Sequence, residues 1–370
     1  MKYLFILGRN TQLSVLELKS FFEARRIGFE ILKQIDNGLL AEVSEKLETG
    51  LIQKLGGVIS YGEVLASGSE EDIISALNDK VLYGGTSNKL NYVVLGFGGD
   101  TGFILDYLKG RFREEGLKAT LKHAGGRIMT QEGKYLPKVS SNLIHERYFL
   151  FEDNFGRILE VCDYEPIEKR DMKKPVRRNE LAISPRLAKI MINISGVKED
   201  GILLDAFCGI GVILQEALLQ KINVIGIDKD KIALEGAQQN LNWFGFSKKN
   251  YELINADSSV VKIHDVDALV SEPDLGEIQN KNVPLPKAKR ILKEFEDLMI
   301  SVLNNLKKYV KGKIVFTSPL ISIGKKKIGC NFSRIASATD LRIVAGPISD
   351  FRDKSIIGRK IIVLKRSFKN

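Results

Sequence analysis

Hydrophobic and polar positions along the first 165 residues predict a mixed α+β region. Ser14 and Glu17 have the spacing of a capping box, which predicts a helix that ends near Arg26. A second helix is predicted over residues 102–115. Apolar runs predict strands at residues 2–8, 91–97, 127–130, 147–151 and 157–161. No internal repeat or low-complexity tract is seen in this region.

From residue 180 onward, predicted strands and helices alternate. Ser184 and Pro185 form a strong helix start, and Gly196 follows the last apolar position of that helix. Helical segments separate most of the strands that follow, which indicates a parallel sheet covered on both faces. The last two strands have no helix between them, which indicates an antiparallel hairpin. The predicted strands are 202–205, 223–228, 251–255, 268–271, 313–317, 341–347 and 360–365.

A basic stretch separates these two patterns. Residues 168–178 hold six bases against two acids, and Pro175 lies among them. This composition predicts a linker over residues 166–179 rather than a helix or strand. The linker divides the chain into an N-terminal domain, 1–165, and a C-terminal domain, 180–370. It is either a solvated tether or a strap that contacts phosphate, and we favour the strap because it borders the site described below.

Length and composition narrow the class of protein. A chain of 370 residues is long enough for two domains, with 44% hydrophobic and 28% charged residues. No apolar run approaches the ~20 residues of a membrane span. The first apolar run is too short for a secretory signal, so a cytoplasmic location without membrane contact is expected. The three cysteines and three histidines lie far apart, so neither a metal site nor disulfides are expected. A net charge of +10 fits a polyanionic partner and a merely lysine-rich surface about equally well.

A glycine turn between a strand and a helix is the central motif. Residues 201–211 read Gly-Ile-Leu-Leu-Asp-Ala-Phe-Cys-Gly-Ile-Gly, and a predicted helix over 212–219 begins directly after them. Glycines let the backbone approach a ligand closely, and a helix N-terminus offers unpaired N–H groups. A lone glycine turn is more often structural, so the neighbouring strand ends decide its interpretation.

Acidic residues end three successive strands. Asp205 suits the ammonium group of S-adenosylmethionine, Asp228 can accept hydrogen bonds from both ribose hydroxyls, and Asp257 can face the adenine amino group. Each acid alone could be a helix cap, but three at one sheet edge indicate a site for this cofactor. The terminal hairpin agrees, because it distinguishes class I methyltransferases from dinucleotide dehydrogenases. The residues predicted to contact the cofactor are Asp205, Ala206, Phe207, Cys208, Gly209, Gly211, Asp228, Lys229, Ala256, Asp257 and Ser258.

Several segments carry a resemblance to a known family. Residues 205–211, Asp-Ala-Phe-Cys-Gly-Ile-Gly, residues 184–193, Ser-Pro-Arg-Leu-Ala-Lys-Ile-Met-Ile-Asn, and the basic linker together resemble the THUMP-containing tRNA (guanine-N2-)methyltransferases, in the branch acting on guanosine 10. The first eight residues and the helix after them are similar to that family's ferredoxin-like subdomain. The resemblance implies a ferredoxin-like subdomain over about 1–70 and a THUMP-like module over about 71–165. It also implies a Rossmann-like class I methyltransferase domain after the linker.

The same resemblance implies methylation of the exocyclic N2 of a guanosine in tRNA, with S-adenosylmethionine as the methyl donor. The N-terminal half and the linker would then hold the RNA. Two alternatives remain, an RNA-binding protein with a divergent methyltransferase domain and an N6-adenine DNA methyltransferase. The N-terminal half argues against the second. The residues expected to meet RNA phosphates are Arg127, Lys134, Lys138, Lys173, Lys174, Arg177 and Arg178.

The turn after the fourth strand of the second domain departs from the family pattern. The family has Asp-Pro-Pro-Tyr-Gly there, and this chain has Glu272-Pro-Asp-Leu-Gly276. Glu272 and the Pro273 carbonyl would accept hydrogen bonds from the target amine, and Asp274 replaces the second proline. Leu275 replaces the aromatic ring, whose stacking on a base contributes ~1–3 kcal/mol. Either another aromatic such as Phe207 stacks on the base, which we favour, or the pocket methylates slowly, takes a different substrate, or only binds RNA.

Other residues with chemical potential have simpler interpretations. Cys208 is a small turn residue rather than a nucleophile, because no histidine or second cysteine is near it in sequence. Trp243 and Phe244 are predicted to lie in the core. His123 either contacts phosphate or is an ordinary surface histidine.

Overall fold

The computed structural model of the protein describes residues 1–122, 127–129, 135–137, 143–177, 183–275, 283–324, 326–351 and 357–367, with the backbone alone at 127–129 and 135–137. The chain divides into two compact units. The first comprises Met1–Val15 and Arg26–Asp163, and the second comprises Leu16–Arg25 and Tyr164–Asn370. Helix α1, Thr11–Arg25, thus contributes its last ten residues to the second unit.

The first unit is built on one eight-stranded sheet with the strand order β2-β3-β1-β4-β10-β9-β5-β6. Pairing is antiparallel except where β5 meets β6 and β9. The strands are β1 Lys2–Leu7, β2 Phe29–Ile35, β3 Gly38–Val43, β4 Val58–Ser67, β5 Lys89–Phe97, β6 Lys118–Leu121, β9 Glu146–Phe151 and β10 Asn154–Val161. A separate hairpin is formed by β7 Arg127–Met129 and β8 Tyr135–Pro137. The helices are α2 Leu51–Lys54, α3 Glu70–Asn78 and α4 Gly102–Glu114.

Alternating side chains of β9 supply two separate hydrophobic clusters. Phe149 and Phe151 belong to one cluster, with Leu4 of β1. Tyr148 and Leu150 belong to another, with Ile104, Leu108 and Phe112 of α4. Successive side chains of a strand point to opposite faces, so this sheet is apolar on both sides.

One expectation for the first unit is wrong. Ser14 and Glu17 do not form a capping box, because α1 begins at Thr11 and the side chain of Asn10 accepts the Leu13 N–H at 3.2 Å. Both residues are buried instead, and the Ser14 hydroxyl donates to the Gly57 carbonyl at 2.7 Å. Strands β2, β3 and β4 were also not predicted. Since β4 pairs with both β1 and β10, one sheet includes strands from either side of residue 70.

The second unit contains the predicted parallel sheet. Its strand order is β13-β12-β11-β14-β15-β18-β17, with β16 paired to β15. The strands are β11 Ile202–Asp205, β12 Asn223–Asp228, β13 Tyr251–Asn255, β14 Ala268–Ser271, β15 Lys313–Ile323, β16 Lys326–Gly329, β17 Leu341–Asp350 and β18 Ile357–Arg366. The pairs among β11 to β15 are parallel, whereas β18 is antiparallel to both β15 and β17. The expected class I methyltransferase fold with its terminal hairpin is therefore confirmed.

Helices accompany this sheet and pack against it in its buried core. They are α5 Glu165–Lys173, α6 Pro185–Ser195, α7 Val212–Leu218, α8 Lys231–Trp243, α9 Leu285–Leu306 and α10 Phe332–Ala338. Helix α6 begins as the sequence predicts, because the Ser184 side chain accepts the Leu187 N–H and Gly196 ends the helix with a φ of 74°. Apolar residues of α9 such as Phe295 and Leu303 pack with β11 and β15 residues in one buried cluster. No helix within the described ranges is long and apolar enough to cross a membrane.

The segment predicted as a structureless linker is folded onto the second unit. Residues 165–173 form helix α5, and the Arg170 guanidinium lies 3.2 Å from the carboxylate of the buried Glu216 on α7. Beyond the helix, the Val176 N–H donates to the Asn240 side chain at 3.0 Å, and that amide donates back to the Val176 carbonyl. The linker expectation was wrong because the buried Glu216 and Asn240, both distant in sequence, hold the basic segment in place.

Candidate functional site

The glycine turn lies between β11 and α7, at the edge where strands β11 to β15 end. We call this the carboxyl edge of the sheet. The Gly209 N–H donates to Asp228 Oδ2 at 2.8 Å, which ties the turn to the end of β12. Gly209 has a φ of 50°, and no atom lies within 4 Å of where a β carbon would be. The turn therefore exposes backbone to open space, as close approach of a ligand requires.

Asp205 ends β11 with a carboxylate that is 1% exposed. Its Oδ1 accepts hydrogen bonds from the Phe207 N–H at 3.1 Å and the Ser271 hydroxyl at 2.5 Å. Its Oδ2 is buried and has no hydrogen-bond partner among the described residues. Burial raises the pKa of Asp205 to about 7, and the nearby Asp228 and Glu272 add to this effect. A buried oxygen without a donor would be satisfied by a cationic ligand.

Asp228 ends the neighbouring strand and is half-buried. Besides Gly209, its carboxylate accepts the Asp230 N–H at 2.9 Å through Oδ1. Each carboxylate oxygen can accept two hydrogen bonds, so the ribose hydroxyls can still be accommodated. Lys229, which follows it, is exposed. The Asn255 side chain donates to the carbonyls of Asp228 and Lys229, which ties the ends of β12 and β13 together.

Residues 256–258 form a turn after β13. The exposed Asp257 accepts the Ser259 N–H at 2.8 Å, and this bond lowers the pKa of the Asp257 carboxyl. The buried Ser258 hydroxyl donates to the Ala206 carbonyl at 2.6 Å, so its contact with the glycine turn is structural. The three predicted acids thus lie at one edge, at the ends of adjacent strands β11, β12 and β13.

Glu272 follows β14 and forms an ion pair that the sequence did not reveal. Its carboxylate Oε1 accepts a hydrogen bond from Arg359 Nε of β18 and another, 3.3 Å long, from the Thr317 hydroxyl of β15. Arg359 Nη2 donates to Oε2 at 3.4 Å. Burial raises the pKa of Glu272, whereas the Arg359 guanidinium and the Thr317 hydroxyl act in the opposite direction. Glu272 lies next to the glycine turn along the sheet edge, since Ser271, which precedes it, bonds to Asp205.

The three residues that follow Glu272 in this turn differ in burial. Pro273 is buried and Asp274 is exposed. Leu275, at the position of the family's aromatic residue, is 2% exposed and cannot serve as an open stacking surface. Phe207 is half-buried, and its N–H donates to both Asp205 and Ser271. The Phe207 backbone therefore lies at this edge, and its partly buried ring packs against the core of the second unit.

The expectation for Cys208 agrees with the structure, and the expectation for Trp243 does not. The Cys208 thiol is buried, burial raises its pKa well above the ordinary value, and its N–H donates to the Ile227 carbonyl. These contacts fit a turn residue. Trp243, in contrast, is 46% exposed, so the expectation of a core position is wrong. It lies at the end of α8, where its ring meets that of Phe244 edge to face.

The residues expected to meet RNA phosphates are only partly described. Lys134, Lys138 and Arg178 lie outside the described residues, as do His123 and the side chain of Arg127. Lys173 and Arg177 are exposed on the second unit. Lys174 does not fit the expectation, because it is 6% exposed and its ammonium lies 2.9 Å from the Asp171 carboxylate.

The site fits S-adenosylmethionine and shows no sign of a metal centre in the part of the chain that is described. The unpartnered Asp205 oxygen suits an ammonium group, and the open Gly209 backbone suits close approach. Over the described ranges, no group of three or more His, Cys, Asp and Glu side chains could hold a metal ion. The strand order and the hairpin are those of the class I methyltransferase fold, and the chemistry of the site at its carboxyl edge fits S-adenosylmethionine.

Comparison with known proteins finds related sequences. Residues 174–310 match the family model described as RMKL-like, methyltransferase domain (UPF0020). A protein of Methanothermobacter thermautotrophicus named tRNA (guanine(10)-N2)-dimethyltransferase is 37% identical over 117 residues, which span 31% of this chain and only 34% of that protein. A Pyrococcus abyssi protein of the same name is 24% identical over 91% of this chain and 97% of its own.

A solved structure supports the fold over the whole chain. TrmN from Thermus thermophilus aligns with 99% of this chain and 100% of its own, with a TM-score of 0.53 and 14% identity. The prediction of an S-adenosylmethionine-dependent methyltransferase is confirmed. Neither of the alternatives that the sequence left open is favoured by these comparisons.

Proposed function

We propose that this chain methylates the exocyclic N2 of a guanosine in tRNA. The observation that carries the proposal is the 2.5 Å hydrogen bond from the Ser271 hydroxyl to Asp205. This bond joins the end of β11, where the glycine turn begins, to the end of β14. The Glu272-Pro273-Asp274 turn, which would hold the target amine, follows directly. The relatives named tRNA (guanine(10)-N2)-dimethyltransferase support the choice of substrate and make guanosine 10 the first position to test.

The cofactor would be held by the three strand ends. Asp205 would receive its ammonium group, and Asp228 its ribose hydroxyls. The backbone of Ala206 to Gly211 would lie against it, and the turn of Lys229 and Ala256 to Ser258 would face the adenine. When bound, S-adenosylmethionine supplies a methyl group on a positively charged sulfur. The protein's own contribution is to orient the acceptor and to exclude water from it.

The acceptor amine would be oriented by Glu272 and the Pro273 carbonyl. Both accept hydrogen bonds, so together they can take the two N–H groups of an exocyclic amine and aim the nitrogen lone pair away from the turn. The neighbouring Asp274 is exposed and can meet the substrate from solvent. Phe207 supplies the nearby ring on which the base can stack.

We infer that RNA binding involves the first unit and the basic segment. The proposed organisation is an RNA-binding region over 1–165, with ferredoxin-like and THUMP-like parts divided near residue 70, and a methyltransferase domain over 180–370. Residues 166–179 would act as a basic surface fixed to the methyltransferase domain, since Arg170 and Val176 are bonded to it. Arg127, Lys134, Lys138, Lys173, Arg177 and Arg178 would meet phosphates.

The experiment is a methyl-transfer assay with the full chain, labelled S-adenosylmethionine and an unmodified tRNA transcript, followed by nucleoside analysis. We expect label in N2-methylated guanosine and none in duplex DNA. Glu272→Ala should abolish most of the transfer. Asp267→Asn should not, because Asp267 directly precedes β14 and accepts the Ile202 N–H at the amino end of β11. Label in adenine, or label in DNA alone, would show that the proposed substrate is wrong.

A further inference from the structure

The ion pair between Glu272 and Arg359 connects the turn after β14 to the terminal hairpin of β17 and β18. Register explains the contact, because Ser271 pairs with Phe316 of β15 and Pro319 of β15 pairs with Arg359 of β18. The side chains of Glu272 and Arg359 are only 9% and 15% exposed. A charged pair this buried is held by strong, directional hydrogen bonds.

The hydrogen bonds of the Glu272 carboxylate occupy both lone pairs of Oε1 but only one lone pair of Oε2. Oε1 accepts from both Arg359 Nε and the Thr317 hydroxyl, which uses its two lone pairs. Oε2 accepts one hydrogen bond from the described residues, that from Arg359 Nη2. One lone pair of Oε2 therefore remains for a donor that is not among those residues.

We propose that Arg359 and Thr317 are positioning residues for the methyl acceptor, holding the Glu272 carboxylate so that Oε2 accepts an N–H from the exocyclic amine of the target base. This inference rests on the proposed function. Glutamate is one methylene longer than the aspartate of the family motif, so its carboxylate has an additional rotatable bond. The Arg359 fork and the Thr317 hydroxyl restrict that freedom and fix where the acceptor oxygen lies.

The Arg359 guanidinium also lowers the pKa of Glu272, against the effect of burial. Two acidic groups among the described residues also interact with this carboxylate, Asp350 on β17 and Asp205 at the end of β11. Burial and Asp350 raise the pKa of Glu272, and the Arg359 guanidinium has the largest effect that lowers it. Without Arg359 the pKa of Glu272 would rise further, and protonation would remove the acceptor at a pH where the unaltered protein still has it.

The test measures kcat and KM of the full chain with an unmodified tRNA transcript across a pH series. Arg359→Met should lower kcat by about 100-fold, the loss expected when a reacting group is misplaced by ~1 Å, with a much smaller change in KM. The acid limb of the pH profile of this variant, where kcat falls as Glu272 becomes protonated, should also move to higher pH. Arg359→Lys keeps the charge but not the fork, so it should lower kcat while leaving the acid limb nearly in place. Thr317→Val should give a smaller loss of kcat.

Two controls separate positioning from a merely structural role. Arg342→Met removes an exposed arginine from the far end of the same hairpin, paired with Lys365, and should leave kcat and the pH profile unchanged. Glu272→Gln should abolish the acid limb of the kcat profile. Adding Arg359→Met to Glu272→Gln should lower kcat by a smaller factor than Arg359→Met does alone, because the two residues act as one unit. An Arg359→Met protein with lower thermal stability but an unchanged kcat and acid limb would overturn the positioning role while the proposed function stands. If the unaltered chain transfers no methyl group, the proposed function fails and this inference fails with it.

Discussion

Asp205→Asn is predicted to weaken cofactor binding while stabilising the protein that has no cofactor bound. Burial raises the pKa of Asp205 from the ordinary 3.8 to about 7. That difference corresponds to ~4 kcal/mol in favour of the protonated carboxyl. Below pH about 4 the group is protonated in both the folded and the unfolded chain. As the pH rises toward 7 the unfolded chain loses its proton first, so the free energy of unfolding falls across this window and then levels off.

The asparagine variant should not show this loss. Its amide has no charge, but a buried NH2 group without a partner costs ~1–3 kcal/mol. The net gain at pH 7.5 is then ~1–3 kcal/mol, and each kcal/mol raises the Tm of a domain of this size by about 2–4 °C. Thermal unfolding of both proteins without cofactor at pH 5.5 and 7.5 measures the gain, which should be present at the higher pH and smaller at the lower.

Cofactor binding should change in the opposite direction. A hydrogen bond to a charged group contributes ~1.5–3 kcal/mol, so the Kd for S-adenosylmethionine should rise by about 10-fold to 150-fold. Calorimetry at the same two pH values should show that the unaltered protein binds more tightly at pH 7.5, because Asp205 must lose its proton. Asp267→Asn is the matched control, since its carboxylate accepts the Ile202 N–H at the other end of β11. Equal affinity of the Asp205→Asn and unaltered proteins, or binding of the unaltered protein that does not depend on pH, would refute the reasoning.

The remaining predictions concern the glycine turn and the basic segment. Gly209→Ala and Gly211→Ala both place a side chain at a positive φ, but only the second meets protein, 3.3 Å from Ala237 Cβ. Gly209→Ala should therefore mainly weaken cofactor binding by calorimetry, and Gly211→Ala should lower the Tm more; the reverse order would contradict the placement of the cofactor. Lys173→Glu should weaken tRNA binding and flatten its salt dependence in a filter-binding series. Lys174→Glu should instead lower the Tm, because the Lys174 ammonium is buried against Asp171. If both variants weaken tRNA binding equally and neither lowers the Tm, the distinction between the exposed Lys173 and the buried Lys174 is wrong.

Much of the second unit could be predicted from the sequence, and the reason is physical. Strands covered on both faces have continuous apolar runs, so β11, β12 and β14 stand out against the helices between them. Parallel strands also bring their carboxyl ends to one edge, which is why Asp205, Asp228 and Asp257 could be assigned to a single site.

The features that were missed depend on partners far along the chain. Strand β2 has no fully buried residue and carries two charges, Glu30 and Lys33, so its pattern does not resemble a strand. Helix α5 also has no buried residue and is held by Glu216, 46 positions from Arg170. Arg359 lies 87 residues beyond Glu272, and only the antiparallel register of β15 and β18 brings them together. No local pattern carries such information.

The most direct test of the central claim removes the acceptor atom from the substrate. Nucleoside mapping first locates the methylated guanosine in an unmodified tRNA transcript, and a second transcript is then prepared with inosine at that position alone. Inosine is guanosine without the exocyclic amine, so the rest of the base is unchanged. We expect rapid methylation of the guanosine transcript and none at the inosine. Methylation of the inosine position at a similar rate would contradict it, because the methyl group would then be going to an atom other than N2.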